Sequence, residues 1–96
     1  MGAHSFYTTS QGRTAKEAFT SAVQDARYEY GNSGYTGTIA EKDSFVMIEC
    51  PNGAIPEEYA QELLNNSDYR IDDKWGPAGC IHVGGDKFLF FGWASS

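Results

Sequence analysis

The chain has little that would staple it, carry it through a bilayer or let it grip a polyanion. Cysteine appears twice, as Cys50 and Cys80, and proline three times in 96 residues. The longest apolar runs, Phe45 to Ile48 and Phe88 to Phe91, fall far short of the roughly 20 residues a membrane-spanning helix needs. Cations are scarce: seven Lys and Arg stand against thirteen Asp and Glu, a net charge of −6. A domain that holds nucleic-acid backbone carries the opposite balance, so neither direct nucleic-acid binding nor membrane insertion is expected. No charged-then-apolar leader opens the sequence. The expectation is a cytoplasmic protein with free thiols, since neither cysteine sits in a Cys-x-x-Cys pair.

What is present is aromatic. Six Tyr, six Phe and two Trp supply the bulk for a single core, and the length allows one domain. Residues His4 to Thr9 read as a first strand. Thr14 with Glu17 forms a capping-box pattern, and Ala15, Ala18, Phe19, Ala22, Val23, Ala26 and Tyr30 then recur at helical spacing up to Gly31. This alanine-rich stripe suits close packing on a sheet, with Phe19 and Val23 as anchors.

A glycine-punctuated loop, residues 31–37, leads to two expected strands, Thr38 to Glu41 and Ser44 to Cys50, joined by a turn at Lys42-Asp43. In the second, Val46, Ile48 and Cys50 share one face while Phe45 and Met47 share the other. Apolar residues on both sides suggest a central strand. Pro56 opens a second helix whose first turn carries Glu57 and Glu58 and whose buried side is Tyr59, Ala60, Leu63 and Leu64. Residues 68–77 show no period. Gly79 to Val83 and Lys87 to Trp93 then form a hairpin about Gly84-Gly85-Asp86. The expected fold is a single α+β domain of order β-α-β-β-α-β-β, an antiparallel sheet with both helices on one face.

No local catalytic motif occurs: no Gly-x-Ser-x-Gly elbow, phosphate loop, dinucleotide fingerprint, His-Glu-x-x-His or EF-hand. No metal or cofactor is expected on that basis. His4 and His82, in different strands, make an acid–base pair only if those strands are neighbours; otherwise they are ordinary half-buried strand residues. Cys80 and His82 share a strand face, but spacing two apart along one strand suits a hydrogen bond poorly.

Two segments invite a binding role. Residues 31–42 offer glycines, the hydroxyls of Tyr35, Thr36 and Thr38, and Lys42, groups able to cradle an anion. Together with Arg27 and a stacking Trp75 they would suit a nucleotide-like small ligand. The plainer reading is a glycine-rich turn. The second segment is acidic: Glu57, Glu58, Glu62, Asp68, Asp72 and Asp73 face only Arg70, so it holds five of the six net negative charges. It reads either as a solvated surface or as a patch that meets a basic partner protein, with Trp75 as anchor. A last strand ending Phe91-Gly92-Trp93 exposes apolar area unless covered, which suggests a homo-oligomer.

The stretches GYTGTIAEK at 34–42, DDKWGPAGCI at 72–81 and FLFFGWASS at 88–96, with HSF at 4–6 ahead of the capped helix, resemble a group of small proteins encoded by tailed bacteriophages. The resemblance implies a cytosolic accessory protein made during infection, a class in which inhibitors of host defence are common. It brings no catalytic motif. Three functions follow: an inhibitor of a host defence or nucleic-acid-processing factor acting through the acidic segment, a binder that sequesters a nucleotide-like signal, or a small enzyme using His4 and His82.

Overall fold

The computed structural model describes residues 2–30 and 36–95, without the side chain of Tyr30. They form four strands and two helices, β1 (Ala3–Gln11), α1 (Ala15–Tyr30), β2 (Phe45–Met47), α2 (Pro56–Asn65), β3 (Ala78–Gly84) and β4 (Lys87–Ser95), with a 3-10 turn over Ile39–Glu41. This is the single α+β domain expected, and the elements follow the expected order with the 3-10 turn standing where the second strand was expected. No helix among the described residues is long and apolar enough to cross a membrane.

The sheet runs β1-β4-β3-β2. Strand β4 pairs antiparallel with β1 along nine residues, Ala3 opposite Ser95 to Gln11 opposite Lys87, and antiparallel with β3 on its other side. Strand β2 pairs parallel with β3, Phe45 opposite Ala78. The sheet is therefore mixed, not wholly antiparallel as expected. The cause lies at residues 36–42. Thr38 Oγ1 accepts from the Ala40 amide at 3.2 Å, and the Glu41 carboxylate accepts from the Thr36 amide at 3.0 Å and hydroxyl at 2.8 Å. These bonds close Thr38–Glu41 into a 3-10 turn in place of the expected strand. With no hairpin partner, β2 instead pairs through the α2 crossover with β3, and it is a short edge strand rather than a central one.

Strands β3 and β4 are apolar on both faces, so both faces must be covered. One face presents Ala78, Cys80, Phe88, Phe90 and Ala94 to Phe19, Ala22, Val23 and Ala26 of α1. Here Phe19, Phe45 and Phe90 meet pairwise at centroid distances of 5.1, 5.5 and 5.8 Å, none stacked flat, and burying the Phe19 and Phe90 rings contributes about 2–3 kcal/mol each. The opposite face presents Ile81, Leu89 and Phe91 to Ala60, Leu63 and Leu64 of α2, with Ile48 and Ile71. The helices thus lie on opposite faces, correcting the expectation of one. At the apolar ending of β4, Phe91 is fully buried in the sheet and Trp93 is half-buried.

Local chemistry sets the joints. The amide of Glu17 donates to Thr14 Oγ1 at 3.1 Å, while the Glu17 carboxylate turns to the Arg13 amide at 3.3 Å, so the capping box closes one residue further out than expected. Gly85-Asp86 make the β3–β4 turn, Gly85 at φ 54°. His82 clasps it through Nε2 to the Gly85 carbonyl at 2.7 Å. Gly79 is required by packing, because a Cβ there would lie 2.6 Å from the Phe91 ring.

Candidate functional site

The loop from α2 to β3, residues 66–77, is irregular yet closely held. Its organiser is Lys42, 2% exposed. The Lys42 ammonium donates to the carbonyls of Gly76 at 2.9 Å, Lys74 at 3.1 Å and Asp73 at 3.4 Å. Three donors on one ammonium meet three acceptors, which is how a buried lysine is retained. Burial pulls the Lys42 ammonium below its usual range, and the nearby Asp73 carboxylate partly restores it. Asp73 Oδ1 accepts from the Trp75 amide at 2.8 Å, and Gly76 N–H donates to the Asp73 carbonyl at 2.9 Å. Ile71, 1% exposed, ties the loop to the core beneath.

What this frame presents outward is aromatic and acidic. Trp75 is 60% exposed and Tyr69 is 89% exposed. The Lys74 ammonium lies over the indole, 5.4 Å from the ring centroid. Glu57, Glu58 and Glu62 of α2 are exposed, as are Asp72 and Asp73. Glu58 and Glu62 stand one helical turn apart and so share a flank. Asp68 is different. Its carboxylate holds the Arg70 guanidinium at 2.9 Å through both Nε and Nη2, and those hydrogen bonds draw the Asp68 carboxyl below its usual range. It is half-buried and serves the loop rather than a partner.

The residues expected to hold a small ligand are divided between separate depressions. Arg27 and Lys42 line one shallow depression of 230 Å³ with Phe19, Val23 and Asp43, where only Arg27 offers an exposed cation. Thr38 lines a different groove, with Asp25 and Glu29. The Thr36 and Thr38 hydroxyls bond each other at 2.7 Å, and Thr36 also bonds Glu41, a carboxylate that would repel an anion. Tyr35 lies outside the described residues.

Nor do the histidines meet. His4 is opposite Ala94 of β4 and His82 is opposite Phe88, so they stand roughly 20 Å apart along the strand direction, with β4 between. His82 packs on Phe88 at 4.9 Å. Cys80 is fully buried and its thiol is pushed up to about 12, far from a reactive thiolate. Cys50, half-buried, directs its Sγ to the Ala54 carbonyl at 3.6 Å, and both cysteines are free. No group of three or more His, Cys, Asp or Glu positioned to hold a metal occurs among the described residues.

Sequence reasoning placed Lys42 among ligand-binding groups, whereas the structure uses it to hold the Trp75 loop. No local pattern signals that role, because its acceptors are backbone carbonyls more than thirty positions away. Reading from the residues also passed over Tyr69 and the groove beside β1. Comparison of the chain with protein-family models, with curated proteins and with solved structures finds no match.

Proposed function

We propose that the chain is a non-enzymatic binding protein that engages a basic surface on a partner protein through α2 and the loop after it. In the setting that its resemblance to phage accessory proteins implies, the partner is a bacterial host's defence or nucleic-acid-processing factor and the binding inhibits it in the cytoplasm. The observation that carries the reading is Trp75, 60% exposed on a loop whose carbonyls are fixed by the buried Lys42 ammonium. An aromatic anchor on a pre-formed loop loses little entropy on binding. The exposed Glu57, Glu58 and Glu62 of α2 and Asp72 of the loop would steer a cationic partner and favour fast association.

The test is quantitative capture of bacterial host proteins by the wild-type chain, by Trp75→Ala and by the double variant Glu58→Lys, Glu62→Lys, over a salt series. All three side chains are exposed, so the variants should fold. A specific partner is expected on the wild type, weakened by salt and lost by roughly tenfold or more in each variant. Equal retention by all three proteins, or the absence of any specific partner, would overturn the proposal.

A further inference from the structure

Among the described residues, strand β1 is an edge of the sheet, nine residues long, with the sequence AHSFYTTSQ. Every second residue of such a strand turns its N–H and C=O away from its neighbour. Proteins usually blunt so long an edge with lysine, proline or a bulge. Here β1 has none of these: it carries no Lys, Arg, Asp, Glu or Pro, and its register with β4 runs unbroken from Ala3 to Gln11.

Beside this edge lies a groove of 360 Å³, lined on the strand by Ser5 to Ser10, on the helix by Ala22, Asp25, Ala26 and Glu29, and by Gly37, Thr38 and Ile39 of the segment before β2. It continues toward the end of β1, where Thr9 to Gln11 face Ser21, Asp25 and the single cation Lys87. Ala22 and Ala26 keep the floor low. Asp25 and Glu29 are exposed. One helical turn separates them by about 6 Å along the axis, close to the roughly 6.6 Å between side chains on the same face of a strand.

We propose that β1 accepts an extended segment of a partner protein as a fifth strand, a segment with Lys or Arg at alternate positions. Its backbone completes the hydrogen bonding of the β1 edge. Its inward side chains lay their stems over Ala22 and Ala26 and bring their cationic ends to Asp25 and Glu29. A second copy of β1 is the poorer occupant. It would bring Asp25 and Glu29 of both molecules to one seam, with no Lys or Arg on either strand to meet them. This surface is separate from α2 and the Trp75 loop and does not depend on the reading given for them.

The experiment uses a labelled peptide of about ten residues alternating Lys with Thr or Val, and its counterpart with Glu for Lys. Binding is measured by fluorescence anisotropy and mapped by amide chemical shifts and hydrogen exchange. The Lys peptide is expected to bind, with exchange slowed at alternate residues of β1 and shifts in α1. Replacing it with the Glu peptide, or Asp25→Asn with Glu29→Gln, should weaken binding by about tenfold or more. The double variant Glu58→Lys, Glu62→Lys should bind it as the wild type does. No binding, unchanged affinity in the Asp25/Glu29 variant, or shifts confined to α2 and residues 66–77 would each overturn the proposal. So would β1 protection that rises with protein concentration without peptide, which assigns the edge to a second copy. The mapping on wild-type protein stands whether or not a variant folds.

Discussion

The ammonium of Lys42 donates to the carbonyl of Gly76 across 2.9 Å, joining positions 34 apart in sequence. With the bonds to Asp73 and Lys74 it makes one cation the centre of the loop that carries Trp75.

Lys42→Met keeps the apolar stem and removes the ammonium, leaving those carbonyls in a site that admits little water. The variant should lose about 3 kcal/mol of stability in urea titration. Hydrogen exchange at the Trp75 and Gly76 amides should quicken before the core strands respond. Unaltered exchange there would show that the loop holds itself.

Cys80 supplies a pH dependence whose sign is fixed. Its thiol stands near 9.0 unfolded and about 12 in the fold. Above pH 9 the unfolded chain sheds this proton while the native protein keeps it, so the contribution is intact below pH 9 and is lost between 9 and about 12, by about 1.4 kcal/mol for each pH unit. Lys42, lowered by burial, acts in the opposite direction, and Tyr7, raised by burial, acts in the same one. Subtracting the profile of Cys80→Ala cancels both, so the difference between the two proteins should show that slope.

The same burial predicts labelling order. A maleimide on native protein should add once, at Cys50, and add a second time only after unfolding, as read by intact mass. Two additions to the folded protein would contradict the buried position of Cys80.

Gly79→Ala places a methyl 2.6 Å from the Phe91 ring, which is itself fully buried between sheet and α2. The loss should be about 2 kcal/mol, and Phe91→Leu in the same protein should recover part of it. Additive losses in the double variant would mean that the two side chains do not meet.

The turn at Thr36 to Glu41 bears on the small-ligand reading. Glu41→Ala removes the acceptor for both the Thr36 amide and hydroxyl and should lower stability by about 1 kcal/mol. Adding a nucleoside triphosphate to wild-type protein should leave Tm unchanged. A rise in Tm that Arg27→Ala abolishes would restore the ligand reading.

The parts of this architecture visible from the sequence are those whose cause is local. The stripe from Ala15 to Ala26 specifies α1, Pro56 with Leu63 and Leu64 specifies α2, and Gly85-Asp86 marks the final turn. The run Phe88 to Phe91 carries a further signal: apolar residues on successive positions require cover on both faces, hence a central strand and helices on opposite sides. Thr38 to Glu41 misled because its β-branched residues look extended, while the deciding bonds run from Glu41 back to Thr36. At the site, the exposed Glu58, Glu62 and Trp75 were legible as charge and aromatic surface. Lys42 and Ile71 were not, since one is defined by distant carbonyls and the other by a core assembled from four separate segments.

Strand β4 is the last of the four strands to be synthesised, yet it separates β1 from β3 in the sheet. Until it emerges from the ribosome, β1 has no partner, β2 has no partner but β3, and the two helices have only half a surface to cover. The nascent chain therefore carries an unpaired, uncharged β1 until residues 87–95 have emerged, a state open to capture by chaperones or by other β1 segments. Assembly should proceed by insertion of the final strand, with folding speed governed by how fast residues 87–95 find a slot whose walls were made first.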